Sequence, residues 1–283
     1  MEIINRIPRM MSVARELRAK TNRIGLVPTR GSLHEGHLSL MSRARELCDS
    51  VIVAIYVDSS IAEDAASPAI IDLPRDAELA FTRGVDFIFA PSAEDMFPPG
   101  FSTFVGVEGF SQKLEGANRP GYFRGTTTAV NKLLNISQPH FAFFGRKEAQ
   151  RIIIIRRMIR ELGIDVEIVV CPTVREEDGL ALSSSNANLS TEERKAAIVL
   201  RRALERCRSL ATGGERDAAR LIASMRSQIE AEPLARIDYV AITDAEHLDT
   251  IDVVPAAYPS LVSLAVYIGA TRLTDNIVLS GEL

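Results

Sequence analysis

Two histidines, His34 and His37, lie three residues apart in the segment HEGH and have the side chains best suited to chemistry in this chain. The apolar run before them predicts a buried strand, and the periodic apolar residues after them predict a helix that opens at the histidines. Imidazoles at this spacing share one face of a helix, beside backbone amides that lack helical partners. Such a helix start would suit the phosphates of a nucleotide, and Gly36 would leave room for a base to approach.

The same histidines have two plainer interpretations, a metal half-site and ordinary surface polarity. The chain contains four histidines and three cysteines, and no further pair of them falls at the spacing of a zinc site. The string HxGH after a buried strand is also typical of nucleotidyl-transferring enzymes, which act at the α-phosphate of ATP. We therefore expect a nucleotide site and no metal held by protein ligands.

Two later segments carry further groups that would bind phosphate. In the segment GRKE, residues 145–148, the glycine would permit a sharp turn and Lys147 places a cation at a helix start, where the dipole opposes it and a phosphate would compensate. In the segment LSSS, residues 182–185, three hydroxyls in a row would donate to phosphate oxygens. An exposed turn lysine and an ordinary serine-rich linker are the alternative interpretations.

A stretch rich in glycine, proline and arginine, residues 114–125, is expected to be a structured loop and not a helix. Its arginines, Arg119 among them, would bind a carboxylate or phosphate in bidentate fashion, or would make salt bridges at an interface.

The composition is that of an ordinary globular protein: 283 residues, 46% hydrophobic, 25% charged, with a net charge of −4. This mild acidity argues against nucleic acid as an obligate partner. The scattered cysteines fit a reducing compartment, and we expect neither a signal peptide nor a membrane-spanning segment, since no apolar run is long enough for either. We expect a cytoplasmic protein with small-molecule substrates.

Strands alternate with helices along the first part of the chain, which predicts an α/β fold with a parallel sheet. The predicted strands are 23–27, 50–57, 86–89, 141–144 and 165–170, and the predicted helices are 37–48, 75–83, 129–136 and 147–162. Since ligands bind at the carboxyl ends of parallel strands, the segments HEGH, 57–60 and 145–148 are expected to meet at one edge of the sheet.

The pattern changes near residue 176. A capping box at Ser190 and Glu193 opens a predicted helix that runs to about residue 210, a second helix covers 216–231, and strands follow at 237–242 and 261–267. We predict two domains, a Rossmann-like domain over 1–175 and a smaller α+β domain over 176–283.

Together these segments resemble one family, the pantoate–β-alanine ligases. The resemblance runs nearly end to end and is carried, in order, by VPTRGSLHEGHLSL, GVDFIFAPSAEDMFPPG, LEGANRPGYFRG, NKLLNISQP, FFGRKEAQ, RRMIRELGIDVEIV, PTVREEDGLALSS and RLTDN. It implies a Rossmann-like domain with a C-terminal lid domain, in a homodimer that uses ATP and Mg²⁺. It also implies that an acid attacks ATP to give an acyl adenylate and pyrophosphate, and that an amine then displaces AMP.

The resemblance further implies roles for individual residues. His34 and His37 would contact the phosphates as charge develops, His37 would donate a proton, and Lys147 would stabilise the α-phosphate region. Glu115 and Arg119 match residues near the substrates. The nucleotide site would comprise Arg30, Gly31, Ser32, Leu33, Glu35, Gly36, Gly145, Arg146, Glu148, Val174, Leu182, Ser183, Ser184 and Ser185.

The chain departs from the family pattern mainly around the acid. Ile61 and Arg151 stand where the family has glutamines that contact the acid, and Asp58 stands in place of an asparagine. An acid site without these hydrogen bonds should bind pantoate less well, by about 1–3 kcal/mol for each. Three further differences lie around the nucleotide: Arg30 for a methionine, Glu148 for an aspartate and Ser185 for an arginine.

Three functions fit these observations. The first is ATP-dependent condensation of pantoate with β-alanine in an altered acid pocket. The second is a paralogous ligase that adenylates a different acid, for which Arg151 would pair with an additional carboxylate. The third, a non-catalytic nucleotide-binding relative, is disfavoured because His34, His37 and Lys147 are all present.

Overall fold

The computed structural model describes residues 1–56 and 72–283. Contacts divide the chain into two compact units, one of Met1–Gly145 with Ile154–Cys171, and the other of Arg146–Ile153 with Pro172–Leu283. The expectations for Asp58 and Ile61 lie outside the described residues.

Among the described elements of the first unit, each strand is separated from the next by one or more helices, as predicted. In chain order they are β1 Glu2–Ile4, α1 Ile7–Ala19, β2 Ile24–Thr29, α2 Glu35–Leu47, β3 Ser50–Ile55, α3 Leu73–Phe81, β4 Phe87–Phe89, α4 Ala93–Met96, α5 Glu115–Asn118, α6 Tyr122–Ser137 and β5 Phe141–Gly145, followed by α7 Ala149–Leu162 and β6 Glu167–Cys171. A 3-10 helix, Arg146–Glu148, links β5 to α7, whose first residues belong to the second unit.

All of these strands lie in one parallel sheet, in the order β1-β4-β3-β2-β5-β6. The predicted Rossmann-like architecture is therefore confirmed. The chain moves outward from β2 through β3 to β4 and then returns to the other side of β2 with β5, so the topological switch point lies between β2 and β5. In open α/β sheets, ligands bind at the carboxyl ends of the strands at such a point. HEGH follows β2 and the 145–148 segment ends β5.

Helix α2 holds the HEGH segment against this sheet by burying one apolar face. Leu38, Met41 and Ala44 are at most 3% exposed and pack with the buried side chains of β3. The end of the helix approaches β2 so closely that a Cβ on Gly25 would lie 2.8 Å from the Cys48 sulfur. A fully buried leucine or methionine stabilises the fold by about 1.5–3 kcal/mol, so the first turn of α2 is anchored firmly to the sheet.

The second unit is a three-stranded antiparallel sheet packed on helices, which confirms the predicted smaller α+β unit. Its elements are α8 Thr191–Ala196, α9 Ile198–Thr212, α10 Ala218–Glu230, β7 Ala235–Asp244, β8 Ser260–Ile268 and β9 Thr271–Leu279, with a 3-10 helix at Ser184–Asn188. The sheet order is β7-β8-β9, and its apolar face shares one buried core with α9 and α10.

Two predictions about helices were wrong. Residues 114–125 were expected to form no helix, yet α5 spans Glu115–Asn118 and α6 begins at Tyr122. Gly116 does not break α5; it is needed for packing, because a Cβ there would lie 1.9 Å from the Ser111 carbonyl oxygen. The single helix expected from the Ser190 capping box to residue 210 is divided at Ala197 into α8 and α9, although the capping box itself is present.

No helix in the described ranges combines the length and the apolar character needed to cross a membrane.

Candidate active site

The two histidines form the cap of α2. His34 is the N-cap residue, and its Nδ1 accepts a hydrogen bond from the Gly36 amide at 3.1 Å. The Nδ1 of His37, in the first turn, accepts a hydrogen bond from the backbone N–H of His34 at 3.4 Å. The ring centroids are 4.1 Å apart. Histidines thus fill the places that Ser or Thr and Glu or Gln usually take in a capping box. We call this pair the histidine cap.

The hydrogen bonds of the histidine cap fix the tautomer of each neutral ring. Because Nδ1 accepts in both rings, the proton of each neutral imidazole is on Nε2. Each ring is therefore oriented as an Nε2–H donor at the positive end of a helix dipole. A Cβ on Gly36 would come within 2.8 Å of the His34 ring, so this glycine is required by the cap itself. Two oriented donors beside helix-start amides suit an anion.

The loop between β2 and α2 is held by buried polar groups. The Thr29 hydroxyl accepts the Gly31 amide at 3.1 Å. Gly31 and Ser32 then adopt left-handed conformations, with φ of 79° and 52°. The Leu33 amide donates to a carboxylate oxygen of Asp76 at 2.8 Å. Asp76, in α3, is fully buried, and no sequence motif identified it in advance.

The predicted nucleotide residues near the histidine cap differ in what they expose. Arg30 is exposed, whereas the Leu33 side chain is 1% exposed, so Leu33 would contribute only its backbone to a ligand. Glu35 is exposed and forms an ion pair with Arg83 at 3.2 Å.

Glu115 and Arg119, expected near the substrates, lie at the two ends of α5. Glu115 is its first residue, directly after Leu114, which has a φ of 47°. The guanidinium of Arg119 lies over the ring of Tyr122, 3.7 Å from its centroid. Stacking on an aromatic face holds the plane of a guanidinium in a fixed orientation.

Lys147 lies in the 3-10 helix that follows β5 and is half-buried. The side-chain amide of Asn276, in β9, donates to the backbone carbonyls of Arg146 and Lys147 at 3.1 and 2.7 Å. Asn276 belongs to the RLTDN segment, and no signal in the sequence gives this residue a role in the site.

The described residues reveal no structural reason for a glycine at position 145. Its φ lies outside the left-handed region, so the expected sharp turn does not depend on its lack of a side chain. A Cβ on it would meet no described atom within 4 Å. A glycine that neither turn nor packing demands is consistent with close approach of a ligand to the backbone.

The substitution Gly145→Ala should separate these explanations. We expect the free energy of unfolding to change by less than about 0.5 kcal/mol, while ATP binding weakens by about 1–3 kcal/mol because the new methyl overfills the site. Calorimetric titration with ATP measures the second effect. Gly106→Ala is the matched control, since a Cβ at Gly106 also meets nothing within 4 Å. Equal ATP affinity in both variants would contradict the assignment.

Arg151 is one turn beyond Lys147 and forms an ion pair with Glu148 of the same segment. Its side chain is 17% exposed and that of Glu148 is 49% exposed. The two residues that differ from the family pattern here therefore pair with each other, and Glu148 offsets the charge that Arg151 introduces.

The serine segment, residues 182–185, is part of an ordered turn and not a flexible linker. The Leu182 amide donates to the Val174 carbonyl at 3.0 Å, and Arg175 and Ala181 form an antiparallel bridge. Ser183 caps the 3-10 helix that begins at Ser184, and its hydroxyl accepts the Ser185 amide at 3.3 Å. We call residues 174–185 the serine loop.

Arg194 anchors the acidic part of the serine loop. Its guanidinium contacts Glu176 at 2.6 Å and Asp178 at 2.7 Å. The hydrogen bond from Arg194, aided by the Leu180 amide, lowers the pKa of Asp178 below its ordinary value. A lowered carboxyl pKa contributes stability above the ordinary pKa and loses it as the pH falls through the folded-state value.

We therefore expect Arg194→Ala to reduce the acid sensitivity of the fold. The unfolding free energy of the wild type should fall more steeply than that of the variant between about pH 5 and pH 2. Urea unfolding at a series of pH values measures both slopes. The control, Lys195→Ala, removes one positive charge from the same helix and should keep the wild-type slope. If the unfolding free energies of Arg194→Ala and the wild type fall in parallel with pH, the contact between Arg194 and Asp178 does not cause the acid sensitivity.

The described ranges contain no group of three or more His, Cys, Asp or Glu side chains placed to hold a metal ion. Mg²⁺ in nucleotide sites is commonly held by phosphates with one or two carboxylates.

Comparison with known proteins gives a consistent result. The family model for pantoate-beta-alanine ligase matches residues 2–278. A pantothenate synthetase of Heliobacterium modesticaldum is 51% identical over 282 residues, covering 98% of this chain and 99% of that protein. The crystal structure of pantothenate synthetase from Thermus thermophilus superposes with a TM-score of 0.89 at 39% identity, covering 98% and 99% of the two chains. That of pantoate-beta-alanine ligase from Francisella tularensis, complexed with beta-gamma ATP and beta-alanine, gives 0.79 at 30% identity, covering 98% and 97%.

Proposed function

This chain belongs to the pantoate–β-alanine ligase family, and from that premise we propose that it condenses pantoate with β-alanine to form pantothenate in a reaction driven by ATP. The observation that carries the proposal is the match to the family model over residues 2–278. Within this range, the histidine cap lies at the switch point of the parallel sheet. The Francisella tularensis relative, complexed with beta-gamma ATP and beta-alanine, supports these two substrates.

The proposed reaction has two steps. The pantoate carboxylate attacks the α-phosphorus of ATP; the bond between the α-phosphorus and the bridging oxygen breaks, and pyrophosphate leaves. The amine of β-alanine then attacks the acyl carbon of pantoyl adenylate, loses a proton, and displaces AMP. Negative charge moves onto phosphate oxygens in both steps, so fixed hydrogen-bond donors and cations should stabilise the transition states.

The histidine cap and Lys147 supply these groups in the proposal. Each Nε2–H of the cap donates a hydrogen bond to a phosphate oxygen, and the bond from His37 strengthens as charge develops on the departing pyrophosphate while the proton stays on the ring. Lys147 stabilises the α-phosphate. The remaining nucleotide contacts are assigned to the backbone of residues 30–36 and 145–148 and to the hydroxyls of the serine loop. Mg²⁺, bound with the phosphates, would neutralise part of their charge.

The proposal includes the predicted domain roles and assembly. Residues 1–175 would bind ATP and the acid, and residues 176–283 would form the lid. The family resemblance supports a homodimer acting in the cytoplasm, and light scattering of the purified protein would test the dimer.

Isotope exchange between pyrophosphate and ATP tests the adenylate intermediate. Reversible adenylation predicts exchange that requires pantoate and proceeds without β-alanine. Exchange that requires β-alanine, or none in an enzyme that makes pantothenate, would rule out a free-standing adenylate step.

A paralogous ligase for a different acid is the alternative, and the structure bears on it through Arg151. An acid with a second carboxylate would have to pair with Arg151. Arg151 already forms an ion pair with Glu148. This pairing favours pantoate, which has a single carboxylate.

The double substitution Ile61→Gln with Arg151→Gln tests the acid pocket. Each restored hydrogen bond should lower the transition-state free energy for pantoate by about 1–3 kcal/mol, which appears as a higher kcat/KM. Steady-state kinetics with pantoate varied measures this gain. Arg157→Gln removes a charge elsewhere on the same helix and should leave kcat/KM unchanged. A flat response to the double substitution would show that these positions do not set specificity.

A further inference from the structure

The segment RLTDN, residues 272–276 in β9, contains two buried polar side chains. Asp275 and Asn276 are 3% and 6% exposed. Buried polar side chains are costly unless they are paired, so their partners indicate what the segment does.

Asn276 holds the backbone that carries Lys147. Its amide nitrogen has two hydrogens, and it contacts the carbonyl oxygens of Arg146 and Lys147. These carbonyls belong to a one-turn 3-10 helix, which has little internal hydrogen bonding of its own. A carboxylate in place of this amide would face the two carbonyls with no donor.

Asp275 holds the beginning of the serine loop. Its carboxylate receives two hydrogen bonds from Arg175, at 2.7 and 3.0 Å, and Arg175 also donates to the Gly179 carbonyl at 3.1 Å. The Asp275 carboxylate also accepts a hydrogen bond from the backbone N–H of Asn276 at 2.8 Å, which fixes the backbone between the two residues.

Adjacent residues of a strand point to opposite faces of the sheet. Asp275 and Asn276 therefore reach two separate segments, the serine loop and the Lys147 turn, from one rigid strand. Both segments belong to the second unit, and the proposed function assigns nucleotide contacts to each of them.

We propose that Asn276 and Asp275 are positioning residues for the ligase reaction: Asn276 sets the place of the Lys147 backbone, and Asp275, through Arg175, sets the place of the serine loop. The inference rests on the proposed function for the tasks of Lys147 and the serines, and on the hydrogen bonds above for the positioning. A misplacement of about 1 Å in such a group can lower the rate by as much as about 100-fold.

A double-mutant cycle between Asn276 and Lys147 tests the proposal. Asn276→Ala should lower kcat at least about tenfold, with KM for β-alanine little changed. In the Lys147→Ala background the same substitution should lower kcat less than about twofold, because the group being positioned is gone. Equal factors in both backgrounds would overturn the proposal, since a general loss of folded enzyme acts equally on both.

Two variants guard this test against trivial unfolding. Asn276→Asp keeps the size of the side chain but loses the donors, so it should match Asn276→Ala in kcat, and it replaces that variant if alanine prevents folding. Thr274→Val, two residues away on β9, should behave as wild type. Wild-type kinetics in Asn276→Asp would overturn the proposal.

Calorimetric titration with ATP alone repeats the cycle without either co-substrate. If the effects of the two substitutions on ATP affinity are coupled but the protein makes no pantothenate, the positioning role is supported and the proposed acid is rejected. Additive effects on ATP affinity in an active ligase would reject the positioning alone.

Discussion

Replacing His37 by alanine is expected to lower kcat for AMP formation by about 10²–10³-fold, which corresponds to about 2.7–4 kcal/mol of transition-state stabilisation. The structure orients this imidazole through Nδ1, leaving Nε2 as the nitrogen that carries the proton of the neutral ring. Loss of an oriented donor where charge develops acts mainly on the transition state, so kcat and kcat/KM for ATP should fall together.

A glutamine at the same position separates catalysis from helix capping. His37→Gln places a residue common at this position of a capping box and should keep the bond to the His34 amide. His37→Ala should lose that bond and about 0.5–2 kcal/mol of stability. Both should lose activity to a similar extent, as measured by pyrophosphate release. Wild-type release from a folded His37→Ala protein would end the assignment of His37 as a catalytic residue.

Replacing Asp275 by asparagine is expected to lower the unfolding free energy by about 3–5 kcal/mol, because it leaves the Arg175 cation with no compensating charge in a buried site. The Asp275 side chain is 2% exposed and that of Arg175 is 18% exposed, and the two are joined by two hydrogen bonds. Urea unfolding at neutral pH measures the loss.

The exposed pair of Arg43 and Glu46 provides the control. Its N–O distance of 2.7 Å equals that of the buried pair, but its side chains are 49% and 62% exposed. Glu46→Gln should therefore cost no more than about 1 kcal/mol. A similarly small cost for Asp275→Asn would show that the Arg175–Asp275 bridge does not stabilise the second unit.

Local signals in the sequence predicted much of this fold. The apolar run before HEGH, the helix that follows it, and the capping box at Ser190 and Glu193 are each confirmed, because each depends on residues a few positions apart. The alternation of these elements was sufficient to predict the parallel sheet.

Contacts between distant residues were not predictable in this way. Asp76 binds the Leu33 amide across 43 residues, and Arg175 binds Asp275 across 100. No periodic pattern marks such pairs. Strand β9 was missed because Asp275 and Asn276 interrupt its apolar residues, and both are buried polar groups that hold other segments.

The proposed function can be tested directly by incubating the purified protein with ATP, Mg²⁺, pantoate and β-alanine, and by omitting each component in turn. If the proposed function is correct, AMP and pantothenate form in equal amounts, and neither product forms when any substrate is left out. No AMP from the folded, ATP-binding protein under complete conditions would contradict it and would direct the search to other carboxylic acids.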